Sequence, residues 1–183
     1  MIEFENYRLR LLHLNDAEGL FNLIETNRDR LLKYFPITSS SVTDLETAKT
    51  YIADKIKRSI NKDFFGYLIE EISSNELVGL YILKNFNWRV PKCELAYFID
   101  KNHEGKGIVT KVTHEMIDYC FNQLKLSKIW IETGEDNFGS KNIALKNGFK
   151  LEGLLRDNFR DSLGNLINIE YYGLTLEDWK NRM

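Results

Sequence analysis

The sequence predicts an α+β fold in which helices flank a mixed central sheet of about six to seven strands. The first half of the chain carries a hairpin of aromatic and branched segments, whereas the second half alternates strand, helix, strand, helix and strand. Such an order requires one crossover between parallel strands beside an antiparallel meander. The 183 residues, 43% of them hydrophobic, suit one compact domain that spans residues 1–183.

Three helices are expected in the first third of the chain, each after a residue that favours helix starts. Short polar side chains at a helix start accept hydrogen bonds from its free backbone N–H groups. The first two caps are Asn15 or Asp16 and Asn27, and residues 41–44 precede the third helix. The second helix is expected to stop near Pro36, because proline cannot continue the helical ladder.

Alternation or enrichment in β-branched and aromatic residues predicts the strands. They are residues 7–11, 64–72, 77–86, 93–99, 128–133, 149–155 and 167–176. A hairpin turn joins the second and third of these segments. The fourth leads through a glycine loop into a long amphipathic helix. The fifth leads into a helix over residues 137–147, which ends at Gly148 in the position that a C-cap glycine takes.

Composition excludes several classes of function. The net charge of -2 lacks the basic excess of a nucleic-acid-binding domain, so no nucleic-acid partner is expected. Cys93 and Cys120 are too few for a disulfide framework, and the three histidines lack metal-ligand spacing. No apolar run has the length of a signal peptide or a membrane span. The expected compartment is therefore the cytoplasm, with no membrane partner.

The segment Glu104 to Thr110 joins a predicted strand to a predicted helix and reads EGKGIVT. Glycines let a backbone approach a ligand closely, and the free N–H groups of a helix start attract an anion such as a pyrophosphate. Lys106 adds a mobile positive charge. The segment is equally explained as a tight turn with two permissive glycines, since it matches neither the P-loop nor the GxGxxG pattern.

Three more segments make the functional interpretation of the glycine loop more specific. Residues 27–36 read NRDRLLKYFP, residues 137–140 read NFGS, and residues 146–153 read KNGFKLEG. In this order, over nearly the whole chain, the motifs resemble the GNAT acetyltransferases, specifically their RimJ/RimL-like branch. The resemblance implies a GNAT fold, acetyl-CoA as the acetyl donor and an amine as the acceptor, with no metal.

The resemblance also implies where acetyl-CoA lies. In the family, the strand that ends at Ile99 splays away from the strand over 128–133, and the pantetheine arm bonds to the exposed backbone, here at Phe98 and Ile99. The resemblance places the pyrophosphate at the glycine loop and the first turn of the next helix. The implied cofactor-binding residues are Phe98, Ile99, Gly105, Lys106, Gly107, Ile108, Val109, Thr110, Asn137 and Ser140. Glu104 occupies a position that is Gln or Arg in the family, so its carboxylate must point away from the phosphates.

The resemblance gives candidate catalytic residues as well. The tyrosine that many relatives use as the general acid is replaced by Ala144, and Ser140 lies one turn earlier on the same helix face. Ser140 is therefore the candidate donor to the leaving thiolate, or else a residue that merely suits a helix start. Glu132 is the first candidate base and Glu94 the second, each with a buried structural ion pair or a solvent-facing position as the alternative. A glutamate used as base in the RimL branch falls on Phe159 here, so that role does not transfer.

These residues predict transfer of an acetyl group to a primary amine, and the first expectation for the acceptor is the α-amine of a ribosomal or other protein N-terminus. The alternatives are a polyamine, amino-acid or drug acetyltransferase, and a regulatory module that binds coenzyme A without efficient catalysis. The sequence does not decide the acceptor or the oligomeric state, for which a homodimer is one candidate.

Overall fold

The computed structural model describes residues 1–182, which form one eight-stranded mixed sheet with helices on both faces. The strands are β1 (Ile2–Phe4), β2 (Tyr7–Leu11), β3 (Phe65–Glu71), β4 (Glu76–Asn87), β5 (Lys92–Ile99), β6 (Lys128–Gly134), β7 (Lys150–Arg160) and β8 (Leu166–Thr175). The helices are α1 (Ala17–Thr26), α2 (Arg28–Tyr34), α3 (Pro36–Ser41), α4 (Leu45–Ile60), α5 (Ile108–Asp118), α6 (Phe138–Lys146) and α7 (Leu176–Lys180).

The strand order confirms the α+β class and the mixed sheet. Strands β1 to β5 follow one another as an antiparallel meander, and α5 then returns the chain so that β6 lies parallel to β5. Strand β8 inserts between β6 and β7, which places β7 at the edge of the sheet. The parallel pair carries α5 and α6 at the carboxyl ends of its two strands, the end at which α/β sheets commonly bind ligands.

Several boundaries differ from the sequence prediction. Strand β1 was missed, because three residues are too short for alternation to be recognised, and it raises the strand number to eight. Pro36 does not only follow a helix: it occupies the first turn of α3, where its missing N–H has no partner to lose. The last strand ends at Thr175, whose side chain accepts from Asp178 N and so caps α7.

The caps follow local chemistry that the sequence partly conveys. Asp44 caps α4 in a reciprocal capping box with Thr47. Asp16 does not cap α1 with its side chain; it accepts from the backbone N–H of His13 instead and forms an ion pair with Arg10. Helix α1 therefore begins directly after Asp16, although Asp16 makes no N-cap hydrogen bond to it.

Two apolar clusters hold the sheet between its helix layers. One packs α5 and the α6 residue Ala144 against one face, and includes Leu95, Tyr97 and Ile131. The other packs α1 and α4 against the opposite face, and includes Phe98. Because side chains alternate along a strand, neighbouring residues of β5 serve opposite layers.

Strands β5 and β6 diverge at the centre of the sheet. Their parallel register covers only Lys92 with Lys128, Cys93 with Ile129 and Glu94 with Trp130. Beyond these pairs the two strands continue to Ile99 and Gly134 without pairing to each other. The splayed strand pair implied by the family resemblance is therefore present. Among residues 1–182, no helix has the length and apolar character needed to cross a bilayer.

Candidate active site

Two cavities meet where β5 and β6 diverge. The first, here called the pocket, has a volume of about 410 Å³ and lies between the sheet and the α2–α4 layer. The second, here called the groove, has a volume of about 850 Å³ and runs past the start of α5. Five residues line both cavities and define the junction: Tyr34, Phe35, Tyr97, Asn137 and Ser140. A group bound in the groove can therefore meet a group bound in the pocket only at the junction.

The glycine loop forms one end of the groove. Gly105 and Gly107 have φ values of 73° and 77°, a left-handed conformation that favours glycine. A Cβ at either glycine would meet no atom within 4 Å, so the space in front of both is open. Gly107 precedes α5 without a side-chain cap, which leaves the first amides of that helix free for an anion. The loop thus fits the phosphate cradle that the sequence predicts.

The residues expected to bind the cofactor are nearly all brought together. Phe98, Ile99, both loop glycines, residues 108–110, Asn137 and Ser140 all line the groove. Lys106 is exposed and is not part of this lining, so its ammonium lies at the rim. Residues from three separate segments that the sequence singled out therefore form one continuous surface.

Glu104 is held by an arginine that the sequence analysis did not select. The Glu104 carboxylate forms an ion pair with the Arg30 guanidinium, and both residues line the groove. Arg30 also donates to Asn27 Oδ1 at 2.7 Å and to the carbonyl of Ile99 at 3.5 Å. The ion pair neutralises the carboxylate, so Glu104 does not repel an anion at the predicted phosphate cradle, and it places Arg30 beside that cradle.

Asn27 ties this corner of the site together. It is 1% exposed and donates to Asp100 Oδ2 at 2.8 Å, while its Oδ1 accepts from Lys101 N at 3.1 Å. Asp100 in turn accepts from the backbone of Asn102, and these bonds hold the pKa of its carboxyl below the ordinary value against the opposing effect of burial. The start of α2 and the end of β5 are thus fixed to each other.

Asn137 sets the start of α6 and with it the place of Ser140. Its side-chain oxygen accepts from Ser140 N at 3.2 Å, which is the N-cap bond of the helix. Ser140 consequently lies in the first turn of α6, facing the junction. Ala144, one turn further on, is fully buried in the core and carries no polar group toward the site.

Glu94 is the more enclosed of the two candidate bases. It lines the pocket, is 4% exposed, and accepts from Asn85 Nδ2 at 2.6 Å. Lys84 forms an ion pair with it at 3.0 Å. Burial raises the pKa of the Glu94 carboxyl and the nearby Glu132 raises it further, whereas Lys84 and Asn85 lower it, and burial prevails.

Glu132 lies on the same side of the sheet. Its Oε1 accepts from Trp130 Nε1 at 3.1 Å, and the ring of Trp130 stacks on Tyr171 at 5.8 Å. Glu132 is half-buried and lines the pocket together with Glu94. Both carboxylates thus face the same cavity, on the side from which an acceptor would enter.

The far wall of the junction comes from α2. Tyr34 Oη and Lys33 Nζ both bind the carboxylate of Asp136, which joins α2 to the loop before α6. A Cβ on Gly134 would approach Tyr34 Cε1 to 2.7 Å, so this glycine permits the ring to lie against β6. Phe35 packs edge-on against Phe98, with ring centroids 5.4 Å apart.

Three cationic side chains line the pocket, two from α4 and one from β4. Lys55, Arg58 and Lys84 all line this cavity. Lys55 Nζ lies over the ring of Tyr51 at 4.8 Å, and Arg58 lies over Phe64 at 5.2 Å. The acidic partners of Lys55 and Arg58, Asp54 and Asp63, are not among the lining residues. The pocket therefore presents three cationic groups against two carboxylates.

Tyr97 completes the junction and was not selected from the sequence. It is 8% exposed and stacks on Tyr81 with ring centroids 5.4 Å apart. Burial raises the pKa of its phenol, while Ser140 lies near enough to lower that pKa in part. The Tyr97 hydroxyl nevertheless makes no hydrogen bond of normal geometry to Ser140 or to any other described residue. Within residues 1–182 no group of histidine, cysteine and carboxylate side chains has the arrangement of a metal site.

A family described as "Acetyltransferase (GNAT) domain" matches residues 6–150 of the chain. The Bacillus subtilis protein named "Putative ribosomal N-acetyltransferase YdaF" is 30% identical, over 96% of this chain and 94% of that protein. The spermidine N(1)-acetyltransferase of Vibrio cholerae is 28% identical, over 82% of this chain and 83% of that enzyme.

Solved structures share the fold. The ribosomal-protein-S5-alanine acetyltransferase from Vibrio fischeri superposes with a TM-score of 0.90 at 22% identity, covering 97% of both chains. RimL, described as a ribosomal L7/L12 alpha-N-protein acetyltransferase in complex with coenzyme A, gives a TM-score of 0.87 at 19% identity. That alignment covers 96% of this chain and 97% of RimL.

If the glycine loop holds the pyrophosphate of coenzyme A, Gly107→Glu should weaken coenzyme A binding by at least tenfold. The new carboxylate would stand in the open space before the α5 amides and repel the phosphates. Isothermal calorimetry on the folded variant measures this. Gly164→Glu is the matched control, because Gly164 also has positive φ, at 88°, with open space for a Cβ, and lies outside the groove. Equal affinities for both variants and the wild type would remove the assignment.

Proposed function

Because the chain belongs to the GNAT acetyltransferase family, whose members use acetyl-CoA as donor, we propose that it acetylates the α-amine of a protein or peptide N-terminus. The acetyl donor occupies the groove and the acceptor amine enters through the pocket. The observation that carries the choice of acceptor is the charge of the pocket, which determines which amines can enter it favourably.

The pocket disfavours a polycation. Lys55, Arg58 and Lys84 line the pocket, and each forms an ion pair, but of their partners Asp54, Asp63 and Glu94 only Glu94 also lines the cavity. A polyamine would bring further positive charges into this cavity and would be repelled by the α4 side. An N-terminal segment carries one ammonium group, and its backbone carbonyls can accept hydrogen bonds from Lys55 and Arg58.

The machinery for removing a proton also favours an α-amine. An N-terminal amine has a pKa near 7.7–8.0, whereas a lysine-type amine titrates near 10.4. The first is therefore partly neutral at pH 7 and needs little help from a base. Apart from Glu94, which is paired with Lys84, the carboxylate available in the pocket is Glu132.

The names of relatives support both an N-terminal and a polyamine acceptor. YdaF and the solved RimL structure are described as ribosomal or alpha-N-protein acetyltransferases, while the Vibrio cholerae relative is a spermidine acetyltransferase. The two pocket carboxylates are the feature of this chain that favours spermidine. The balance of charge in the pocket favours the N-terminal acceptor.

The residues divide the reaction between the two cavities. Acetyl-CoA, when bound, supplies the acetyl group as a thioester whose sulfur departs as a thiolate. The α5 amides and Arg30 hold the phosphates, and the unpaired β5 edge at Phe98 and Ile99 positions the arm. Glu94 takes the proton of the ammonium group, directly or through a water. Ser140 Oγ donates to the departing sulfur, and a backbone N–H of β5 stabilises charge on the carbonyl oxygen.

At pH 7, kcat/KM for a short peptide with an N-terminal alanine or serine should exceed that for spermidine at least tenfold. Lys55→Met should lower the ratio of these two kcat/KM values by roughly two- to fivefold, since it removes one partly screened charge from the pocket. Lys49→Met is the control, because Lys49 is exposed on α4 and does not line the pocket. A faster turnover of spermidine by the wild type would overturn the N-terminal assignment.

The acidic limb of the pH–rate profile should lie above the ordinary carboxyl pKa. Burial raises the pKa of Glu94, and a base must be deprotonated, so the rate rises as the pH passes upward through that raised value. Lys84→Met should move the limb to higher pH, because Lys84 lowers the pKa of Glu94. Glu94→Gln should remove this limb and leave the rate to rise only as the amine itself loses its proton, near pH 7.7–8.0. An unchanged limb in Glu94→Gln that disappears in Glu132→Gln would transfer the role of base to Glu132.

Ser140→Ala should lower kcat by about 10²-fold while the affinity for acetyl-CoA stays within twofold. The lost interaction forms as the sulfur departs, so it contributes little to ground-state binding. Steady-state kinetics with a fixed acceptor and calorimetry with coenzyme A separate the two effects. A decrease of kcat below threefold would leave Ser140 as a residue of the helix start only.

A further inference from the structure

Two buried hydroxyls in the pocket walls have no hydrogen-bond partner. Among the residues that the structure describes, three buried side-chain polar atoms are unpaired: Arg8 Nε, Tyr97 Oη and Thr133 Oγ1. Arg8 belongs to a largely buried ion pair with Glu70 outside both cavities, whereas Tyr97 and Thr133 both line the pocket. Buried polar groups are nearly always paired, and an unpaired one lowers stability. Two such hydroxyls at one cavity are available to hydrogen-bond a molecule bound there.

Tyr97 is the one of the two that reaches both cavities. Thr133 lines only the pocket, whereas Tyr97 lines both the pocket and the groove. Ser140, the residue proposed to serve the sulfur, lines the same two cavities as Tyr97, although no hydrogen bond of normal geometry joins the two side chains. A small movement or one bound molecule could thus connect the pocket to the groove through these two side chains.

Ser140 needs such a connection. A serine alkoxide is far more basic than a thiolate, so Ser140 cannot give up its proton unless it receives another at the same time. Asn137 and the backbone amides of α6 offer hydrogen bonds but no acidic proton, whereas Tyr97 shares both cavities with Ser140. The neighbouring hydroxyl of Tyr97 is neutral and remains so, because burial raises its pKa. It too can give a proton only when it takes one.

We propose that Tyr97 and Ser140 form a two-hydroxyl relay that carries a proton from the attacking amine to the departing sulfur. The proposal rests on the proposed function only in taking Ser140 as the group that serves the sulfur. Tyr97 would then be a catalytic residue, in contact with the amine on the pocket side of the junction.

The step balances without any further reagent. The amine nitrogen forms its bond to the acetyl carbon, and the carbon–sulfur bond breaks with its electron pair on sulfur. The nitrogen gives its remaining excess proton to Tyr97 Oη, Tyr97 gives its own to Ser140 Oγ, and Ser140 gives its own to sulfur. The amide and the free thiol are the products, and both hydroxyls end as they began. Glu94 takes the earlier proton, the one that leaves the ammonium group before attack.

Tyr97→Phe tests the relay. It keeps the ring that stacks on Tyr81 and removes only the unpaired hydroxyl. We expect kcat to fall by about 10²-fold, KM for acetyl-CoA to stay within twofold, and Tm to stay equal or rise. A tyrosine that serves only the core would also leave Tm equal or higher, because its hydroxyl has no partner to lose, but it would leave kcat unchanged. Tyr81→Phe is the matched control: it removes a buried phenol that donates to Thr113 at 3.3 Å outside both cavities, and should lower Tm but not kcat.

The double variant Tyr97→Phe/Ser140→Ala decides whether the two residues act in series. Breaking a relay at either place has the same effect, so the double variant should be as slow as the slower single variant. In mixtures of H₂O and D₂O, the wild-type kcat should vary in a curved manner with deuterium content, as expected for several protons in motion. The dependence should become linear in Tyr97→Phe.

The relay is overturned if Tyr97→Phe keeps kcat within threefold of wild type. It is also overturned if the loss in the double variant equals the product of the single losses, or if Ser140→Ala alone is fully active. All assays use whichever amine the wild type turns over fastest. A wrong acceptor class would therefore contradict the proposed function while leaving this test intact.

Discussion

The early end of pairing between β5 and β6 is the constraint on which the whole site depends. Two parallel strands in the middle of a sheet would ordinarily pair along their length and bury the groups between them. Here pairing stops after Glu94 and Trp130, and the following residues of both strands line cavities instead. The carboxylates of β5 and β6 then face one helix layer, and the hydroxyls of the same strands face the other. A molecule in the gap between the strands can contact both kinds of group.

The divergence persists because each strand is held from its outer side. Strand β5 pairs with β4 from Gly79 to Asn87, and β6 pairs with β8 over its whole length. Across the opening, Asp136 binds α2 to the loop after β6, and Asn27 binds the start of α2 to Asp100 after β5. The gap is therefore a property of the frame, and no ligand is needed to create it.

What the sequence could predict depended on local patterns. The glycine loop, the cap at Asn137 and the strand–helix–strand order each lie in one continuous segment, so their chemistry is legible along the chain. The contact between Arg30 and Glu104 joins residues far apart in sequence, and nothing local distinguishes Arg30 from Arg28. Tyr97 was missed for a different reason. In an apolar strand a tyrosine is expected to be core, and only the missing partner of its hydroxyl sets it apart.

The strand order has a practical consequence for anyone who trims this chain. The region that matches the family ends at residue 150, where β7 begins, yet β8 pairs with β6 from Lys128 opposite Thr175 to Gly134 opposite Ile169. A fragment cut at the end of the matched region would leave the edge of β6 that faces β8 unpaired and remove Tyr171 from the face of Trp130. Such an open apolar edge recruits other chains. Expression of residues 6–150 alone should therefore give an insoluble product, so a soluble fragment has to retain the chain through β8.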